Sequence, residues 1–172
     1  MTAAALQADC TRCAALCCVA PAFDRSEDFG VDKPAATPCP HLAPDHRCAI
    51  HAERARAGFK GCIGYDCLGA GQRVTQEIFG GRSWREDASL LVPMSEAFGV
   101  VRRIHELRAM LEKAGEAQLS ENERDGLRAL CDALEPVDGW SRETLAAADI
   151  DALEQRVRAF LRTLRRHFTP AR

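Results

Sequence analysis

A mainly α fold, with a small Cys-rich metal-binding module followed by a helical hairpin or three-helix bundle, is predicted by three observations. Eight of the nine cysteines lie in the first 67 residues, and only Cys131 lies outside. Residues 1–86 carry 17 large apolar side chains, against 25 in residues 87–172. Beyond residue 86 the apolar positions recur at steps of three and four, the period of one helical face. The predicted boundaries are therefore 1–82 for the module and 86–172 for the bundle. A segment with so few core formers buries too little surface to offset its chain entropy. Its cysteines are the natural source of the missing stabilisation.

Three helical pieces are expected in the module. The first carries Cys10 through Val19. The second runs from about Cys48 to Ala57, with Gly58 as its C-cap. The third starts near Asp66 and ends before Gly80-Gly81. A Pro-rich loop from Asp32 to Asp45 separates the first two. No alternating β-branched run is long enough to make a strand.

The bundle is more regular. Phe98, Val101, Ile104, Leu107 and Leu111 mark a helix that starts between Asp87 and Ser95, with Pro93 in its first turn or at a kink, and ends near Gly115. Ser120-Glu121-Asn122-Glu123 is a capping-box pattern, and Leu127, Leu130, Cys131 and Leu134 follow it as a buried stripe closed by Pro136. Trp140-Ser141-Arg142-Glu143 opens a short helical stretch. The last helix follows Asp149, with Leu153, Val157, Phe160, Leu161, Leu164 and Phe168 on one side. Arg162, Arg165, Arg166 and Arg172 suit the negative end of its dipole.

Composition narrows the function classes. Charge is balanced, with 10 basic and 10 acidic residues in 1–86 and 13 and 15 in the rest, so nucleic acid is not an expected partner. No apolar run approaches a membrane span. The stretch MTAAALQADC has neither a basic start nor a hydrophobic core, so no signal peptide is expected. The expected compartment is then cytoplasmic, where thiols stay reduced and clustered cysteines bind metal more often than they pair.

The cluster reads Cys10-x2-Cys13-x3-Cys17-Cys18, Cys39-Pro40-His41, Cys48-x2-His51 and Cys62-x4-Cys67. Thiolate and imidazole are the ligands preferred by zinc and by iron–sulfur clusters. On a continuous helix Cys10, Cys13 and Cys17 fall at about 0°, 300° and 340°, on one face. The expected ligands are Cys10, Cys13, Cys17, Cys18, Cys39, Cys48, Cys62 and Cys67, with His51 added because it follows Cys48 by one helical step; His41 is a weaker candidate. Cys131 sits in an apolar stripe and is expected to be a small core residue. Asp66 fits a helix cap better than a ligand-orienting role. Gly69-Ala70-Gly71 lacks the preceding strand and third glycine of a nucleotide loop and fits close helix packing.

Eight cysteines can complete two four-cysteine zinc sites, one iron–sulfur cluster and one zinc, or one cluster with spare thiols. Zinc is the first expectation, because a closed structural site supplies folding free energy to a core-poor segment.

Cys10-x2-Cys13-x3-Cys17-Cys18, Cys39-Pro40-His41-Leu42, Cys48-Ala49-Ile50-His51 and Cys62 together resemble the zinc- or iron-chelating CxxCxxCC cysteine-cluster family. The stretch from Cys10 to Trp84 is similar to the N-terminal segment of certain bacterial pentapeptide-repeat proteins. That likeness rests on Cys13-Ala14-Ala15-Leu16-Cys17-Cys18-Val19, Asp32-Lys33-Pro34, Gly61-Cys62, Tyr65-Asp66-Cys67 and Gly69-Ala70-Gly71-Gln72. The gap before Cys17-Cys18 is three residues instead of two, and no pentapeptide repeats are present. The resemblance implies a metal site more than an activity. The expected function is a metal-binding protein whose cysteine cluster organises its module in a structural or binding role. An iron–sulfur redox or sensing protein and a protein-interaction module docking through the C-terminal helices are the alternatives.

Overall fold

The computed structural model describes residues 6–168. The expectation of a mainly α fold is met: six α-helices are present among the described residues. They are α1 (Leu16–Val19), α2 (Ala70–Arg73), α3 (Leu91–Gly115), α4 (Glu121–Leu134), α5 (Arg142–Ala147) and α6 (Ile150–Thr163). β-type pairing among these residues consists of two isolated antiparallel bridges, Phe23 with Lys33 and Leu42 with Cys48. The chain divides into two compact units, Met1–Arg102 and Arg103–Arg172, with the division inside α3. Arg172 and the first five residues, which belong to the stretch without a predicted signal peptide, lie outside the described residues.

In the first unit the stretch Cys10–Val19 is not the continuous helix its spacing predicts. A 3₁₀ turn covers Cys10–Arg12, Ala15 sits in the left-handed region at φ 58°, and only Leu16–Val19 is α-helical. The cause is tertiary. Backbone groups of this segment are claimed by side chains some sixty to seventy residues away. Asp9 N–H donates to Gln72 Oε1 at 3.0 Å, and Ala14 N–H donates to Thr75 Oγ1 at 3.0 Å. The Gln76 side-chain amide donates to Arg12 O at 2.8 Å, and the Trp84 indole to Ala14 O at 2.7 Å. These bonds satisfy polar groups that a helix would have paired internally.

The second expected helix, Cys48 to Ala57, is likewise shorter: only a 3₁₀ turn over His51–Glu53 is regular. Its end matches the expectation, because Gly58 at φ +80° closes it. Phe59 N–H donates to Arg54 O at 2.7 Å and Gly58 N–H to Ala55 O at 3.3 Å, the paired bonds of a Schellman stop. The third piece starts at Ala70, later than Asp66, and passes from α2 into a π-turn over Val74–Ile78.

The apolar core of this unit contains Leu16, Val19, Ala70, Val74, Phe79, Trp84, Met94, Phe98 and Val101, all buried. Each large side chain so buried contributes about 1.5–3 kcal/mol. A second cluster is aromatic: Phe23 and Phe29 stack at 4.2 Å, and Phe59 meets both edge-on at 6.3 and 6.5 Å. Gly61 lies against it so closely that a Cβ there would stand 2.4 Å from the Phe29 ring.

In the second unit the sequence is followed closely. Ile104, Leu107 and Leu111 of α3 are buried, as are Leu130 and Leu134 of α4 and Val157 of α6. The α4 capping box forms as expected: Ser120 Oγ accepts from Glu123 N–H while Glu123 Oε2 accepts from Ser120 N–H at 2.8 Å. Ser141 caps α5 in the same manner. Pro93 falls in the first turn of α3, where its missing N–H loses no helical bond. Gly126 lets α4 approach α6, since a Cβ there would lie 3.0 Å from the Phe160 ring. One expectation fails: Phe168 is 55% exposed, because α6 gives way to a 3₁₀ turn over Leu164–His167 and the helical register is lost.

Candidate metal centre

All nine cysteines are free thiols; Cys10 is exposed and the others are partly buried. Cys131 stands apart in the second unit, on α4, where burial pushes its thiol up and Arg108 opposes the shift. The eight remaining cysteines are all in the first unit.

Cys10 and Cys13 flank the segment tied to Gln72, Thr75 and Gln76. Cys67 lies five residues before Gln72, and Ala70 N–H donates to Cys67 O at 2.9 Å. Asp66 is an exposed turn former whose carboxylate accepts Leu68 N–H at 2.8 Å; it is not the helix cap expected, because α2 begins later, at Ala70, with Gly69 at its N-cap and no side-chain cap bond. Gly71 provides space for Cys13: a Cβ at residue 71 would lie 2.5 Å from Cys13 Sγ. The close approach expected of Gly69-Ala70-Gly71 therefore exists, with a sulfur as the partner at Gly71. The left-handed Ala15 turns the chain back on this thiol, so that the N–H groups of Ala15 and Leu16 reach Cys13 and favour its thiolate against the larger effect of burial.

A second set of contacts gathers the other cysteines. Cys39 N–H donates to Cys18 O at 2.9 Å and Leu42 N–H to Cys39 O at 3.0 Å. Leu42 in turn bridges Cys48, with Ala49 N–H donating to His41 O at 2.9 Å. The carbonyl of Cys62 accepts from Arg54 Nη1 at 2.8 Å. The ring of His41 meets Phe59 edge-on at 4.9 Å, an aromatic contact and not a thiol one. His51 is exposed on its 3₁₀ turn and has its backbone N–H on Cys48 O at 3.2 Å.

The electrostatics follow these neighbourhoods. Burial, then the thiols of Cys67 and Cys18, push Cys10 up. Cys13 is raised by burial, with Cys67 and Cys10 adding to it. Cys39 is raised by burial and by Cys18 and Cys48, while the N–H of His41 opposes this. Cys62 is raised by burial and by Cys18, Cys39 and Cys48, with Arg54 opposing. On α1, Cys17 Sγ and Cys18 Sγ are 3.9 Å apart. The Cys17 S–H directed at Cys18 raises Cys17 strongly and holds Cys18 below an ordinary thiol, with Lys33 and Arg54 also favouring the Cys18 thiolate.

Lys33 is a residue facing these thiols that spacing alone does not reveal. It is 3% exposed, and its ammonium donates to the carbonyls of Val19 (2.9 Å), Pro34 (3.1 Å) and Thr37 (2.9 Å). Burial lowers its pKa, and the facing Cys39 and Cys18 oppose that shift. A lysine in a Pro-rich loop carries no sequence signal of burial; the Phe23–Lys33 bridge creates its site. Arg54 is the second such residue.

Among the described residues, no group of three or more Cys, His, Asp or Glu side chains is placed to hold a metal ion. Backbone N–H groups favour the thiolates of Cys13 and Cys39, and cations lie beside Cys18 and Cys62.

The chain is 33% identical over 156 residues to "Uncharacterized protein YybG" of Bacillus subtilis (strain 168), an alignment that covers 91% of this chain. The chain spans 56% of that relative's length. No family model matches the chain. No solved structure matches it either.

Proposed function

We propose that this chain is a metal-binding protein whose cysteine cluster takes up zinc, or iron in a sulfur-ligated form, and that the ion organises the first unit in a structural or binding role. The observation that supports this reading is the presence of eight free cysteines within residues 10–67, a stretch poor in large apolar side chains. Metal displaces thiol protons, and the thiolates draw in to the metal–sulfur distance of about 2.3 Å. Lys33 and Arg54 lie beside Cys18 and favour its thiolate. Such a site belongs in a reducing compartment, which supports a cytoplasmic location. No helix among the described residues is long and apolar enough to cross a membrane.

Purification without oxygen and under reducing conditions, followed by elemental analysis and a visible spectrum, tests the reading. Stoichiometric zinc in a colourless sample supports the structural role. Stoichiometric iron in a coloured sample that bleaches in air supports a redox or sensing role. A folded, metal-free protein indifferent to chelators overturns the proposal.

A further inference from the structure

The geometry points to the adjacent pair Cys17 and Cys18 as a two-thiol capture site for trivalent arsenic compounds, with both sulfurs bonded to one arsenic atom. This site goes beyond the metal reading and does not need it, since two thiols complete it.

Cys17 Sγ and Cys18 Sγ lie 3.9 Å apart on α1, and both residues are partly exposed. Such a pair can close on itself as a disulfide or share a bond to a third atom. The backbone disfavours the disulfide. Consecutive Cα atoms across a trans peptide are about 3.8 Å apart, below the roughly 4.4 Å at which disulfides begin. The peptide is also held in place. Cys18 N–H donates to Ala15 O at 2.9 Å, Cys18 O accepts Cys39 N–H at 2.9 Å, and Leu16 and Val19 on either side are fully buried. The pair therefore persists as a dithiol.

A shared third atom fits the same geometry. An atom about 2.3 Å from each sulfur, the length of a zinc–thiolate bond, spans 3.9 Å at an angle of about 115°. Zinc closes on four donors, and among the described residues no third Cys, His, Asp or Glu side chain is placed with these two to hold an ion. Trivalent arsenic is thiophilic and pyramidal. It keeps an organic substituent as its third group, so two sulfurs suffice, and a small rotation of either side chain narrows the angle to suit it. In an arsonous acid, R–As(OH)₂, each As–O bond breaks as an As–S bond forms. Each thiol proton leaves with the displaced hydroxide, so two water molecules are released and neither arsenic nor sulfur changes oxidation state. Once one sulfur is attached, the second bond forms within the chain, and the bridge outlasts an adduct on a single thiol.

The test uses the full chain, reduced and stripped of metal, with one equivalent of phenylarsine oxide in the absence of oxygen. Intact mass spectrometry in excess glutathione is expected to show one phenylarsenic group per chain, released by dithiothreitol. Cys17→Ser and Cys18→Ser are each expected to lose this glutathione-resistant adduct, while Cys13→Ser and Cys131→Ser keep it. An adduct that survives in both Cys17→Ser and Cys18→Ser, or none in the unmutated chain, overturns the site. Alkylation of the loaded, unmutated chain in denaturant, followed by trypsin, decides the matter even where a variant fails to fold. The peptide from Cys13 to Arg25 holds three cysteines, of which Cys13 alone is expected to be alkylated. Alkylation of Cys17 or Cys18 there overturns the assignment. Zinc and iron are measured separately on the unstripped chain, so the metal reading stands or falls by its own result.

Discussion

Cys13 Sγ occupies the space in which a side chain on Gly71 would begin, with only 2.5 Å between that sulfur and an ideal Cβ. Gly71 lies in α2, where alanine is favoured over glycine by about 0.5–1 kcal/mol. Gly71→Ala is therefore expected to leave the metal-free thermal midpoint nearly unchanged, because the thiol can rotate away. It is expected to lower metal content, because the rotated sulfur leaves its place at Gly71. Parallel thermal unfolding and elemental analysis check this; unchanged metal content would show that Cys13 needs no space at Gly71 to bind.

Lys33 makes the opposite prediction. Its ammonium holds three carbonyls inside the unit, so Lys33→Met leaves them without that donor. A loss of about 1–3 kcal/mol is expected even in metal-free protein, since buried unsatisfied polar groups carry their full desolvation penalty. Urea unfolding of the stripped chain measures it, and a variant as stable as the parent would mean that water reaches those carbonyls.

The partition of the cysteines is testable one residue at a time. Cys17→Ser is expected to lower both metal content and the stability of the loaded protein. Cys131→Ser, on α4 in the other unit, is expected to leave metal content intact. Equal losses from the two variants would contradict the separation of Cys131 from the cluster.

The second unit carries its own pH dependence. Glu123 is held down to about 2 by the Ser120 backbone N–H, by His167 and by the Ser120 hydroxyl, against an ordinary 4.5. A depressed carboxylate stabilises the fold fully above its unfolded value and loses that contribution as pH falls toward the folded one. Stability of this unit is thus expected to fall between pH 4.5 and about 2. Glu123→Gln should flatten that fall, as read by circular dichroism during acid titration. A variant as acid-sensitive as the parent would assign the effect to other carboxylates.

The second unit was legible in the sequence because its determinants are local. Four residues, Ser120 to Glu123, are enough to specify the start of α4, and the spacing of Ile104, Leu107 and Leu111 reports a face that is buried. The first unit resisted the same method. The spacing of Cys10, Cys13 and Cys17 fits a helix, yet Thr75, Gln76 and Trp84 take the backbone groups that a helix there would use. Pairing over such sequence distances leaves no periodic trace. The cysteine cluster was visible as composition, but that Gly71 makes room for Cys13 and that Lys33 lies beside Cys18 and Cys39 was not, because both depend on contacts between distant segments.

Cys10 is the exposed member of the cluster and sits on a 3₁₀ turn whose neighbouring backbone is tied to Gln72 and Gln76. A thiol-directed reagent added to the reduced, native chain is therefore expected to label Cys10 before the partly buried Cys13, Cys17 and Cys18.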